Sequence, residues 1–190
     1  MAEVIGEFTQ CQGEVNEGLE LTFSPSSVPL KHRWRNNGLS ADFLADYVTT
    51  FFPRNEDDPA SLARQADIRG AVNYIANELL ENAMKYSDEL LARPTTIRLV
   101  LTADAILFTG ANATSAEHGR AFRRFVDELT TSDPADMYVR QLERAAEGGG
   151  SSGLGLLTMI NDYGARLAWQ FDDLPGGGMK VTTQVRLDIE

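Results

Sequence analysis

Alternation between hydrophobic and polar positions marks the predicted strands of the chain. Residues 18–27 alternate until Ser and Pro interrupt the pattern, and the stretch 28–35 predicts a second strand. Two apolar-rich runs within 95–111 predict a β-hairpin. The last two strands are predicted at 165–173 and 179–190, where the glycine-rich turn LPGGG makes them a second hairpin.

Helical periodicity occupies the segments between these strands. Ser40 is suited to N-cap a helix that continues to Pro53, and the longest helical pattern runs from Leu62 to Leu91. The pair Asp133-Pro134 offers an N-cap and a first-turn proline to a later helix. Three shorter helices are predicted at 116–132, 135–147 and 154–164.

Length and charge restrict the classes of function. A chain of 190 residues can bury one sizeable core, which favours a single domain over residues 1–190. With 28 acidic and 17 basic side chains the net charge is -11, so the protein repels phosphate backbones and anionic membranes. The sequence shows no leader pattern and no stretch of about 18 apolar residues. We therefore expect a cytoplasmic protein that binds neither nucleic acid nor membrane.

The long helix carries three polar residues beside its apolar stripe. Glu78, Asn82 and Lys85 follow the spacing i, i+4, i+7, which brings them together on one flank of a helix. A carboxylate, an amide and an ammonium in this arrangement could act as a general base, a Mg²⁺ ligand and a phosphate partner. The alternative is an ordinary solvated helix face with i, i+4 pairs.

The glycine-rich stretch GGGSSGLGLLTMINDYG, residues 148–164, allows two interpretations. It is either a flexible linker or a backbone cradle for phosphate. Gly153 and Gly155 lie at the start of a predicted apolar helix, where free N–H groups and the helix dipole favour an anion. The cradle is therefore the preferred interpretation, with Gly148 to Gly150 as the hinge of a mobile lid.

Two segments resemble a known superfamily. NELLENAMKYS, residues 77–87, resembles the N-box of the GHKL ATPases, the group that includes DNA gyrase, MutL and the histidine kinases. SSGLGLLTMI, residues 151–160, resembles their second glycine box. The chain looks most like the small bacterial switch-kinase regulators, which are anti-sigma-factor kinases and SiaB-type relatives. The resemblance covers about residues 40–190, and the first forty residues match weakly.

The resemblance implies the fold and the roles of single residues. It implies an α/β sandwich of the Bergerat type, with a mixed β-sheet covered on one face by helices. ATP and Mg²⁺ would be the cofactors, with Glu78 as the general base, Asn82 as the metal-binding amide and Lys85 as a phosphate contact. The phosphates would meet the backbone of Ser151, Ser152, Gly153, Leu154, Gly155 and Leu156.

One segment departs from the family pattern. Where the GHKL ATPases have DxGxG, this chain has ILFTGANATSAEHG, and Asn112 occupies the position of the Asp that reads adenine. An amide oxygen accepts a hydrogen bond more weakly than a carboxylate, and an amide also donates, so discrimination between adenine and guanine should be poor. The HExxxP segment of a histidine kinase is absent from the sequence.

The resemblance implies a regulatory protein. The expected activity is transfer of the γ-phosphoryl group of ATP to a Ser or Thr of a partner, and slow ATP hydrolysis is a weaker option. The rival interpretation is an inactive pseudo-kinase that sequesters its partner. The partner would resemble an anti-sigma antagonist, a PP2C-type phosphatase would belong to the same circuit, and the chain would form a homodimer.

Overall fold

The computed structural model describes residues 2–8, 17–24, 34–52, 55, 57–146 and 153–189. A 3₁₀ turn at Glu89–Leu91 precedes the third strand. In chain order, the described elements are β1 (Glu3–Ile5), β2 (Glu17–Phe23), α1 (Trp34–Thr49), α2 (Pro59–Tyr86), β3 (Thr95–Leu101), β4 (Ala105–Thr114), α3 (Ala116–Thr131), α4 (Pro134–Ala146), α5 (Leu154–Asn161), β5 (Arg166–Asp173) and β6 (Met179–Asp188).

The strands form one sheet in the order β1-β5-β6-β4-β3-β2. The predicted α/β sandwich and both predicted hairpins, β3–β4 and β5–β6, are confirmed. One detail differs, because every described strand pair is antiparallel and not mixed. Short turns join the hairpin strands, and a short turn permits only antiparallel pairing.

The helices cover one face of the sheet among the described elements. Helix α2 buries a continuous stripe against β3 and β4, and α3 lies over β6. Gly110 on β4 faces this helix, and a Cβ there would make an ordinary van der Waals contact with the Cβ of Leu79, at 3.6 Å. The stripe consists of Ile68, Ala71, Val72, Ile75, Ala76, Leu79, Leu80, Ala83 and Met84.

Two predicted helix starts are wrong. Helix α1 begins at Trp34, so Ser40 lies inside it, and the last residues of the predicted strand 28–35 are helical. The apolar residues Ala41, Leu44, Ala45 and Val48 are buried in the core as α1 packs on α2, and this burial outweighs the turn-like composition near the start of the helix. Helix α2 begins at Pro59, because Asp58 accepts a hydrogen bond from the N–H of Ala60 at 3.0 Å.

The ends of the remaining helices follow local signals. The long helix ends at Tyr86, five residues before the predicted end at Leu91. Asp133 caps α4 as predicted, since its Oδ1 accepts from the N–H groups of Ala135 and Asp136 at 2.9 and 3.1 Å.

Candidate functional site

A cavity of about 210 Å³ opens between α2, α3, the first turn of α5 and strands β4 and β6. Its polar lining residues come from four of these elements, and its walls are aliphatic and aromatic. The polar set is Asn82, Asn112, Thr114, His118 and Thr183. The aromatic set is Tyr86, Phe122 and Phe125. An apolar pocket with a few convergent polar groups is the usual form of a small-molecule site.

Strand β4 forms one wall of the cavity, because alternate residues of a strand lie on the same face. Gly110, Asn112 and Thr114 are two residues apart, so their side chains share the face that meets α2. The antiparallel register sets Thr183 opposite Gly110 and Val181 opposite Asn112, and both residues of β6 also line the cavity. The predicted base-reading residue, Asn112, therefore lies in the cavity wall.

The polar triplet of α2 is divided between two environments. Asn82 lines the cavity and is half-buried. Glu78 is also half-buried, but it lies one turn away, against Gly155 of α5. Lys85 is exposed, and its Nζ lies 5.2 Å from the centroid of the Tyr86 ring. The structure therefore brings Asn82 to the cavity, whereas Glu78 and Lys85 do not line it.

Glu78 is held in a partly dry position between two helices. Burial raises the pKa of its carboxyl, the neighbouring Glu81 raises it further, and Lys85 lowers it. On the same flank, a side-chain hydrogen bond joins Tyr74 to Thr158 of α5, and the Tyr74 ring stacks on Tyr163 at 5.2 Å. Glu78 therefore lies within a packed contact between α2 and α5. A carboxylate with a raised pKa is suited to accept a proton near neutral pH.

The two predicted cradle glycines make room for side chains of this protein. Gly153 begins α5 with φ +92° and no side-chain cap, and a Cβ on it would overlap the ring of Phe125. A Cβ on Gly155 would overlap the carboxylate of Glu78. Sequence patterns predicted the glycines correctly as a helix start. Their contacts with Phe125 and Glu78 could not be predicted, because these residues are distant in sequence.

The other predicted phosphate-binding residues have different placements. Leu156 lines the cavity and is buried, whereas Leu154 is partly buried at the first position of α5. Ser151 and Ser152 lie outside the described residues, as do Gly148 to Gly150. Four of the six predicted phosphate-binding residues are therefore in the described structure, at the start of α5.

The cavity offers one amide to a metal ion. Among the described residues, no group of three or more His, Cys, Asp or Glu side chains is arranged to hold a metal. Asn82 presents an amide at the cavity, and Mg²⁺ accepts such an oxygen together with waters and substrate phosphates. The residues present thus fit a Mg²⁺ ion that arrives with a nucleotide, with Asn82 as its protein ligand.

Several lining residues were not predicted from the sequence. Thr114 and Thr183 are on strands, and His118, Phe122 and Phe125 are on α3. Thr114 follows Asn112 by two residues, so strand periodicity could have indicated it. Phe122 and Phe125 were assigned only to an amphipathic helix, and nothing in that periodicity distinguishes a cavity wall from a core.

Known proteins resemble this chain in fold. No family model matches it, and no curated protein matches it. The structure is similar to a chain in the crystal structure of the SiaB-SiaC complex from Pseudomonas aeruginosa, with a TM-score of 0.52 and 17% identity. The match covers 92% of this chain and 91% of that chain. At the level of the fold, this similarity agrees with the predicted SiaB-type resemblance.

The length and hydropathy of the helices bear on membrane insertion. Within the described part of the chain, none combines the length and the apolar character that crossing a bilayer requires.

Proposed function

We propose that this chain is a regulatory protein that binds ATP with Mg²⁺ in the cavity and acts on a protein partner. The observation that carries the proposal is the meeting of Asn82, Asn112 and Gly153 at one cavity, although they belong to separate stretches of the chain. An amide on a helix, an amide on a strand and an uncapped helix start suit a metal, a base and phosphates, respectively. Their convergence supports nucleotide binding of the GHKL type.

The proposed activity is phosphoryl transfer to a Ser or Thr of the partner. Glu78 takes the proton of the hydroxyl, the hydroxyl oxygen forms a bond to the γ-phosphorus, and ADP leaves. The raised pKa of the Glu78 carboxyl supports this role, because such a carboxylate binds the transferred proton more tightly. A bound Mg²⁺ would neutralise phosphate charge, with Asn82 as its protein ligand. The exposed Lys85 would contact the phosphates once they are bound.

The partner is proposed from the structural neighbour. That neighbour was crystallised as a complex of SiaB with SiaC. The structural match covers nearly the whole of this chain, which supports a partner-switching role with a protein of the SiaC kind. A PP2C-type phosphatase that reverses the modification and a homodimeric state belong to the same proposal.

A pseudo-kinase that only sequesters its partner is the second candidate. Two observations favour it. The Glu78 carboxylate fills the space beside Gly155 that phosphates would approach. The cavity, at about 210 Å³, is also smaller than the ~300–1,000 Å³ of common ligand pockets. A site of this size holds a base more readily than a complete nucleotide.

Calorimetry with ATP, with and without Mg²⁺, tests nucleotide binding. Native protein should bind ATP more tightly when Mg²⁺ is present, and Asn82→Ala should lose that gain because the amide ligand is removed. Asn77→Ala is the matched control, since Asn77 lies on the same helix but does not line the cavity. Absence of ATP binding by the native protein would contradict the proposed function.

Transfer from γ-labelled ATP separates the two candidates. Native protein is incubated with labelled ATP, Mg²⁺ and a purified SiaC-type protein, and label on the partner is measured. Label on Ser or Thr supports the kinase. ATP binding without label on the partner, together with a stable complex of the two proteins, supports the sequestering module.

A further inference from the structure

Thr114 stands out among the lining residues of the cavity because of its burial. It is 3% exposed, and within the described part of the chain its Oγ1 has no hydrogen-bond partner. A buried hydroxyl without a partner destabilises a fold by about 1–3 kcal/mol, so native structures rarely leave one unpaired. The hydroxyl therefore requires a partner that the described fold does not supply.

Thr114 lies in the wall of the cavity. It is the last residue of β4, opposite Met179 of β6, and it shares its face of the sheet with Asn112. Both residues line the cavity. Two residues along a strand are separated by about 6.6 Å, so one ligand that hydrogen-bonds both needs polar atoms separated by a similar distance.

The other walls indicate the shape of that ligand. Phe122 and Phe125 stack at 6.3 Å between centroids with planes 17° apart, and Tyr86 borders the same space. Aromatic walls favour a flat, apolar-faced body. A purine base fits both requirements, because it is planar and carries hydrogen-bonding atoms on both of its rings.

We infer that Thr114 is a specificity-determining residue of the cavity and that its hydroxyl hydrogen-bonds a purine base held beside Asn112. A hydroxyl both donates and accepts, so it can pair with a ring nitrogen or with an exocyclic group. This inference rests on the proposed nucleotide binding and adds a second base-reading group to it. The phosphates play no part in this contact.

The test compares Thr114→Val with Thr114→Ser and the native protein. Valine keeps the shape and removes the hydroxyl, so affinity for ATP should fall about five- to tenfold, the loss expected for one neutral hydrogen bond. Thr114→Ser keeps the hydroxyl and should retain most of the affinity. Inorganic tripolyphosphate, which lacks the base, should bind the native and valine proteins equally.

Stability provides the second measurement. Because valine removes an unpaired buried hydroxyl, the urea midpoint of ligand-free Thr114→Val should equal or exceed that of the native protein. A residue with a purely structural role would lose stability and affinity together. Thr109→Val is the matched control, since Thr109 is on the same strand and an odd number of residues away, on the opposite face.

The outcomes separate the inference from the proposed function. If native protein binds ATP and Thr114→Val binds it equally well, the hydroxyl does not read the base and this inference is wrong, while the proposed function stands. Equal losses for ATP and tripolyphosphate, or a lowered urea midpoint, would also overturn it. If native protein binds no ATP, the proposed function fails and this inference with it.

Discussion

At the scale of single residues, the proposed role of Glu78 and its partial burial place opposite requirements on its carboxylate. The proposed role requires a carboxylate next to the reacting groups, but the contact between α2 and α5 removes part of its water. Burial and Glu81 therefore raise the pKa of its carboxyl above the value in the unfolded chain. The folded state binds the proton more tightly, so the ionised form opposes folding.

The pH dependence of stability follows from this direction. Below the unfolded pKa of about 4.3, Glu78 is protonated in both states and contributes no penalty. As the pH rises through the raised folded pKa, the unfolded state releases its proton first and the free energy of unfolding decreases. The penalty is complete above the folded pKa.

Glu78→Gln should therefore stabilise the protein at pH 7, because it keeps the shape and removes the buried charge. This increase in the free energy of unfolding should fall towards zero near pH 4, where the native carboxyl is neutral. Urea unfolding of both proteins at the two pH values measures it. A variant that is less stable at pH 7 would show that the carboxylate is favourably solvated, contrary to the raised pKa. Higher stability with lost phosphoryl transfer would be typical of a functional group.

At the scale of elements, the start of α5 depends on a contact across the molecule. Gly153 adopts φ +92°, a backbone angle that residues with a side chain rarely adopt. The Phe125 ring from α3 occupies the space beside its Cα. Gly164, after the same helix, also has a positive φ of +62°, but apart from its chain neighbours no atom of the described residues lies within 4 Å of a Cβ built there. The two glycines thus differ in packing.

Gly153→Ala should destabilise the protein by about 2–4 kcal/mol, since backbone strain adds to displacement of the Phe125 ring. Gly164→Ala should lose only the strain contribution, about 1 kcal/mol. Urea unfolding of both variants measures the difference. When Phe125 is also replaced by Ala, the Gly153→Ala substitution should reduce the free energy of unfolding by no more than Gly164→Ala does. Equal losses in the native background would mean that the Phe125 ring moves freely and does not fix the start of α5.

The helices and strands also show which structural features could be predicted from the sequence. The hairpins, α3 and the Asp133 cap were predicted because each depends on residues close in sequence. The start of α1 was missed because it depends on the packing of this helix against α2, which the local sequence does not encode. In the site, Asn82, Asn112 and Gly153 were predicted from motifs, and their meeting at one cavity agrees with the proposal without testing it. The contacts of Glu78 and Phe125 with α5 depend on packing between distant elements, which periodicity does not encode.

At the scale of the whole molecule, the cavity joins parts of the chain that local structure leaves independent. Helix α2, the β4–α3 segment and the start of α5 each contribute to its lining. Helix α1 and the edge strand β1 contribute nothing to it among the described residues. A ligand in the cavity would therefore link α2, α3 and α5, and its binding energy would stabilise their mutual packing.

We expect ATP with Mg²⁺ to stabilise these elements selectively. At a hundred times its dissociation constant, a ligand stabilises the folded state by about 2.7 kcal/mol, which for a chain of this size raises Tm by roughly 5–10 °C. Amide hydrogen exchange should slow in the second half of α2, in α3 and in α5, because opening any of them would release the ligand. Exchange in β1 and in the first turns of α1 should change little. Protection confined to α1, or a Tm shift without slower exchange at α5, would mean that ATP binds elsewhere on the protein and would contradict the cavity as the nucleotide site.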